Sequence, residues 1–263
     1  MNPLIFTATC KRDIERFAVL DKTRRLFLPD HKHVAVAHPK DRPDVVGEGL
    51  VWEALDWTLV CDGSKVLERA VDAPAYLLQQ ITKLYSHWIV DDKAEWLFHV
   101  DSDMWFDDRA VRNIAGHQGL WLYDKRPQML SIWPAQFQWA ETNSWLLATD
   151  IEPCSFMLEQ RGWWLNREVL NALHNHVHKK HFKHLEQLLL ENQGRPFSEY
   201  QLYASYARHF AREAHEWISV AETTPASRSE QIAGHDKLLF VPHATSATEP
   251  PPEILQRWRE LGA

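Results

Sequence analysis

Short apolar runs alternate with longer amphipathic stretches through the first hundred residues. Pro3 to Thr9 (PLIFTAT) predicts a short buried strand that begins almost at residue one. Asp13 to Leu28 places Ile14, Phe17, Val19, Leu20, Leu26 and Phe27 at a rough helical period. His33 to Ala37 (HVAVA) predicts a second strand, and Pro39, Asp41 and Pro43 then break the chain. Thr58 to Cys61 predicts a third strand. Pro74 to Val90 predicts a helix with Tyr76, Leu77, Ile81, Leu84, Tyr85 and Trp88 on one face and Gln79, Gln80 and Lys83 beside it. Trp96 to Val100 is the next strand. Strands and helices in this order predict an α/β fold built on a Rossmann-like, mostly parallel central sheet flanked by helices.

The second half is patterned differently. Gln128 to Leu147 is rich in aromatics (Trp133, Phe137, Trp139, Trp145) and reads as strands and connecting loops. Asn166 to Asn192 reads as one long helix, stopped by Gly194-Arg195-Pro196. Ser198 opens another helix that runs to about Ala214. Final strands are expected near Trp217 to Ala221 and Leu238 to Pro242. After Pro250-Pro251-Pro252, the residues Ile254, Leu255, Trp258 and Leu261 share one helical face. That face suits docking on the protein body, with peripheral membrane association as the alternative.

Composition changes this picture in a few places. A formal net charge of -7 over 263 residues argues against nucleic acid as a partner. The 3 cysteines are far apart, with neither zinc spacing nor a disulfide framework, which fits a reducing, cytoplasmic setting. No basic region precedes the first apolar run, so a signal peptide is not expected. The 13 tryptophans are a high load; indole fills cores and also stacks on the apolar faces of sugar rings.

The stretch EWLFHVDSDMWFDD, Glu95 to Asp108, carries the chemistry. Its apolar strand ends in Asp101-Ser102-Asp103. Ligands of open α/β sheets sit outside the carboxyl ends of strands. Residues two apart in an extended segment point the same way. Two such carboxylates suit Mg²⁺ or Mn²⁺, which typically also keeps phosphate oxygens and waters as ligands. The plainer reading is a solvated acidic turn.

Two enzyme classes place Asp-x-Asp after a strand. A haloacid-dehalogenase-like phosphatase is the weaker match, because its motif usually continues to Thr or Val where this chain has Trp105, and lies near the domain's N-terminus. WLFHVDSDMWF, Trp96 to Phe106, resembles instead the signature of GT-A nucleotide-sugar glycosyltransferases. PLIFTATCKRDIERFAVL resembles the opening strand and helix of such enzymes. LLQQITKLYS, Leu77 to Ser86, resembles the helix that precedes their Asp-x-Asp strand. PFSEYQLYASYA, Pro196 to Ala207, resembles a segment found late in a poorly characterised group of bacterial GT-A-like domains.

The resemblance implies transfer of a sugar from a nucleotide-sugar donor to a carbohydrate acceptor, a glycan or surface polysaccharide. It implies Mn²⁺ or Mg²⁺ held by Asp101 and Asp103, with His243 or His235 completing the shell. Asp103 is then also catalytic, since the ion it holds neutralises the leaving diphosphate. Thr7, Thr9 and Asp13 would bind the nucleoside, and Lys83 would add positive charge. Glu199 would deprotonate or hold the acceptor. The expected organisation is one GT-A-like domain over residues 1–243, with a nucleotide-binding half to about residue 110 and an acceptor half beyond it. Residues 244–263 form a Pro-rich linker and a short helix. A non-catalytic carbohydrate-binding or assembly protein on the same fold is the alternative. His174, His178 and His181, at i, i+4 and i+7, share a helix face. A mixed, half-buried surface is preferred there over a Zn²⁺ site.

Overall fold

A computed structural model of the chain describes residues 3–37, 57–59, 73–90, 93–102, 104–106, 114, 119–122, 135–153, 163–219, 256 and 259–260. Seven strands fall among them: β1 (Leu4–Thr9), β2 (His33–Ala37), β3 (Trp57–Leu59), β4 (Trp96–His99), β5 (Gly119–Leu122), β6 (Trp163–Asn166) and β7 (Glu216–Ser219). The main sheet has the order β3-β2-β1-β4-β6, and β5 pairs with β7 in a second, two-stranded sheet. β1 runs parallel to both β2 and β4, whereas β6 is antiparallel to β4. The sheet therefore grows one way from β1 through β2 and β3, and the other way through β4. Such a reversal opens a crevice at the carboxyl ends of the two strands that flank it.

Every residue of β1 and β2 is buried. A parallel strand covered on both faces reads as a continuous apolar run, which is why both were legible. Leu4, Phe6, Ala8, Val34, Val36, Leu97 and Leu165 point to one face; Ile5, Ala35, Phe98 and Trp164 point to the other. Helix α1 (Ile14–Phe27) covers the second face with Phe17 and Leu20. It also buries Asp21, whose carboxylate lies 3.4 Å from Arg24 Nη2, 3.0 Å from Arg25 Nε and 3.6 Å from His33 Nδ1. A charge this deep is tolerable only when compensated in that way.

The first face is covered by helices. α2 (Ala75–Leu84) and the single turn α3 (Ser86–Ile89) come from the first half of the chain. α4 (Ala135–Leu147), α5 (Arg167–His181), α6 (Leu185–Glu191) and α7 (Glu199–Phe210) come from the second.

The second half departs from the sequence reading. The aromatic-rich stretch expected as strands is helical over Ala135–Leu147. Its apolar residues do not form one stripe: Ala140, Leu146 and Leu147 are buried while Phe137 is exposed. Its polar residues instead bind neighbouring elements. Thr142 Oγ1 donates to the Pro196 carbonyl at 2.7 Å, and Asn143 Nδ2 donates to Ser205 Oγ at 3.2 Å. The single long helix is two, because Phe182 takes a left-handed conformation with φ 53°. His184 then starts α6, its backbone N–H donating to Gln187 Oε1 at 3.0 Å.

Asn166 ends β6 and caps α5, its Oδ1 accepting from the backbone N–H groups of Glu168 at 2.9 Å and Val169 at 3.1 Å. Asn166→Ala is expected to cost about 1 kcal/mol in urea unfolding, the ordinary worth of such a cap. A variant as stable as the parent would mean that packing alone fixes the start of α5. The strand expected near Leu238 to Pro242 and most of the C-terminal helix lie outside the described residues.

Candidate functional site

A cleft of about 660 Å³ opens at the carboxyl ends of β1 and β2. Ala8, Thr9 and Cys10 form the β1 side, Val36 and Ala37 the β2 side, and Tyr76, Gln79 and Thr82 the α2 side. Arg12 and Asp13 close it at the start of α1. Thr9 is buried, and its hydroxyl has no partner among the described residues. A buried hydroxyl on a cleft wall is suited to a polar group arriving from outside the protein. The Asp13 carboxylate accepts from Cys10 Sγ at 3.3 Å and lies 3.5 Å from Arg16 and 3.6 Å from Arg12. Arg12 lines the cleft beside this carboxylate, and Arg16 pairs with the same carboxylate.

Beside the cleft lies a buried charged cluster, and strand geometry explains it. Along β4, Leu97 faces α2 and α7, and side chains two residues apart follow the same direction. His99 and Asp101 therefore reach the α2–α7 side, while Phe98 and Val100 enter the other core. Lys83, one residue past the cleft-lining Thr82, meets them. Its ammonium is 2.9 Å from Asp101 Oδ1 and 2.8 Å from Glu199 Oε1. It also donates to the Tyr200 hydroxyl at 2.7 Å. That hydroxyl in turn hydrogen-bonds His99 Nδ1 at 3.0 Å. The Tyr200 ring lies flat on Trp163, with centroids 3.5 Å apart and planes 4° apart.

Electrostatics follow from this packing. Burial pushes the Lys83 pKa down, but Asp101 and Glu199 together outweigh it, so the net shift is upward and the ammonium is held. Burial, aided by the Lys83 charge, lowers the His99 pKa to about 3. His99 is thus a neutral imidazole at ordinary pH. The cluster joins one firmly held cation to two carboxylates beneath the rim of the switch point.

The expected site residues divide by position. Asp101, Lys83 and Glu199 converge on one point, although the last is about a hundred residues from the others in sequence. Thr9 and Asp13 line the cleft. Thr7 lies apart: it is fully buried, and its hydroxyl is 3.0 Å from His33 Nε2, under α1. Asp103, His235 and His243 lie outside the described residues. Sequence reasoning missed His99, Tyr200 and Trp163. A histidine inside an otherwise apolar strand was the available signal for the first. The other two read as ordinary core aromatics.

The three helix-face histidines go to three different places. His174 Nε2 donates to the Leu84 carbonyl at 3.0 Å, His178 stacks on His184 at 4.9 Å, and His181 Nε2 lies 3.1 Å from the Trp145 and Leu146 carbonyls. Among the described residues no group of three His, Cys, Asp or Glu side chains could hold a metal. Among them also, no helix is long and apolar enough to cross a membrane.

No family model matches the chain, and no curated protein is similar to it. Several solved structures are similar to the chain at low identity. An active-site variant of LgtC is 10% identical with a TM-score of 0.49, over 98% of this chain and 94% of that one. Mouse xyloside xylosyltransferase 1 is 11% identical with a TM-score of 0.47, over 95% and 100%. Core-mannan synthase A from Aspergillus fumigatus, in a Mn/GDP form, is 10% identical with a TM-score of 0.44, over 82% and 72%. Identities this low transfer no residue role.

Proposed function

We propose that this chain is a GT-A-like, metal-dependent glycosyltransferase that moves a sugar from a nucleoside-diphosphate sugar to a carbohydrate acceptor. The observation that carries the reading is the pairing of two features at the carboxyl ends of neighbouring strands. A cleft holding the Thr9 hydroxyl, which has no partner among the described residues, and Arg12 lies at the ends of β1 and β2, and the Asp101–Lys83–Glu199 cluster lies past the end of β4 on the other side of β1.

In this reading the nucleoside occupies the cleft, with Thr9 and Asp13 as its polar contacts. Asp101, with Asp103 and His243 or His235, would hold Mn²⁺ or Mg²⁺. Carboxylate oxygens are the donor type a hard cation prefers, each carboxylate offering about four lone-pair sites. When bound, the ion supplies Lewis-acid neutralisation of the leaving diphosphate. Lys83 contributes fixed positive charge to the same end of the site, at no reorganisation cost because Glu199 and Tyr200 already hold it. Glu199 shares that ammonium with Asp101. The ammonium competes with any acceptor hydroxyl for the Glu199 oxygens, which favours an orienting role for Glu199 over proton abstraction.

The test is thermal stability with UDP, GDP and their sugar conjugates, each with and without Mn²⁺. A nucleotide at a hundred times its dissociation constant should add about 2.7 kcal/mol. The gain should require Mn²⁺ and disappear in Asp101→Asn. Equal stabilisation without the ion would remove the metal from the proposal. No stabilisation by any nucleotide would favour a carbohydrate-binding protein without transfer activity.

A further inference from the structure

A second cavity, of about 230 Å³, lies across Tyr76 from the nucleotide cleft. Tyr76 lines both spaces and is 65% exposed. The cavity is enclosed by α2 (Tyr76, Gln80), by α4 (Trp145) and by the turn from Asn192 to Phe197 that joins α6 to α7.

Its lining has a consistent chemistry. Tyr76 and Trp145 offer aromatic rings. Asn192 and Gln193 offer planar amides, and Arg195 offers a guanidinium that sits 4.9 Å from the Trp145 ring centroid. No carboxylate lines it among the described residues. The turn is fixed from behind: Gln80 Nε2 donates to the Phe197 carbonyl at 2.8 Å, and Thr142 Oγ1 donates to the Pro196 carbonyl. The space is therefore built and held rather than incidental. A β-carbon added at Gly194 would meet nothing within 4 Å, so the turn presents open room at that point.

We infer that this cavity binds one sugar ring of a glycan. The exposed Tyr76 ring suits the C–H side of a pyranose, while amides and the Arg195 guanidinium, seated over Trp145, suit its hydroxyls. The volume lies below the roughly 300 Å³ at which drug-sized sites begin, which suits a single ring. The Arg195 guanidinium favours a neutral or anionic sugar over an amino sugar bearing a free ammonium. Sharing the Tyr76 wall with the cleft makes the bound ring part of the acceptor. That last assignment rests on the transferase reading, whereas the sugar site itself does not.

Saturation-transfer NMR on the full chain tests this, with the methyl glycosides of glucose, galactose, mannose and N-acetylglucosamine as probes. At least one should give a signal on the parent protein. Gly194→Leu, which fills the open room, should reduce that signal at least fivefold. Arg195→Gln, at the rim, should weaken it independently should the first variant fold poorly. The stabilisation by nucleotide with Mn²⁺ should be unchanged in both. No signal from any glycoside would overturn the inference, as would a signal that survives both substitutions. A glycoside signal lost in the variants, from a protein that binds no nucleotide, would keep the sugar site and end the transferase reading.

Discussion

Replacing Lys83 with methionine should destabilise the protein by about 3–5 kcal/mol, the usual result of removing one partner from a buried ion pair. Lys83, Glu199 and Asp101 have side chains only 5%, 6% and 17% exposed. The change would leave two neighbouring carboxylates with no cation between them. Lys83→Met with Glu199→Gln should recover part of the loss, because the second change removes one stranded charge. Lys83 binds its proton more tightly folded than unfolded. Its contribution is therefore fully present below its unfolded pKa of about 10.4 and fades only as pH rises beyond that. The stability difference between parent and variant, from urea unfolding, should stay constant between pH 7 and 9. A variant as stable as the parent would mean that the cluster is solvated and the charges are not coupled.

Acid should sharply destabilise the protein as pH falls to 5. Burial lowers the pKa of His99 to about 3, of His174 to about 4, of His215 to about 4 and of His87 to about 2. In the unfolded chain each returns to about 6.5. Below that pH the unfolded state takes up protons that the folded state refuses, so stability falls with pH. At pH 5 each histidine costs about 2 kcal/mol and the four together about 8, comparable with the whole stability of an ordinary domain of about 5–15 kcal/mol. Tryptophan fluorescence against pH measures it directly. A signal flat from pH 7 to 4.5 would mean that these imidazoles charge without leaving the core.

The two predictions draw on groups of different legibility. Lys83, Asp101 and Glu199 were each visible as candidates, from an apolar strand ending in a carboxylate and from residues on helices. Their shared point was not visible, because α7 brings Glu199 in from the far end of the chain. His99, Tyr200 and Trp163 were hidden for the same reason. Each looks like core until β6 lies antiparallel against β4 and sets Trp163 opposite His99. Helix α4 was misread because its aromatic composition resembles a strand's, while its polar contacts to the Pro196 carbonyl and Ser205 decide its conformation. The break at Phe182 was invisible, since no Gly, Asn or Pro stands there to mark a left-handed residue.

What the sequence by itself determined is the parallel sheet, its first helices, and the position of a carboxylate at a strand's carboxyl end. Period-two and period-3.6 burial is written locally, residue by residue. Only the tertiary structure decided which side of β4 carries the chemistry, which cation meets Asp101, and that a walled cavity stands beside the cleft. Those depend on contacts between segments about a hundred residues apart, and such contacts leave no periodic trace in the chain.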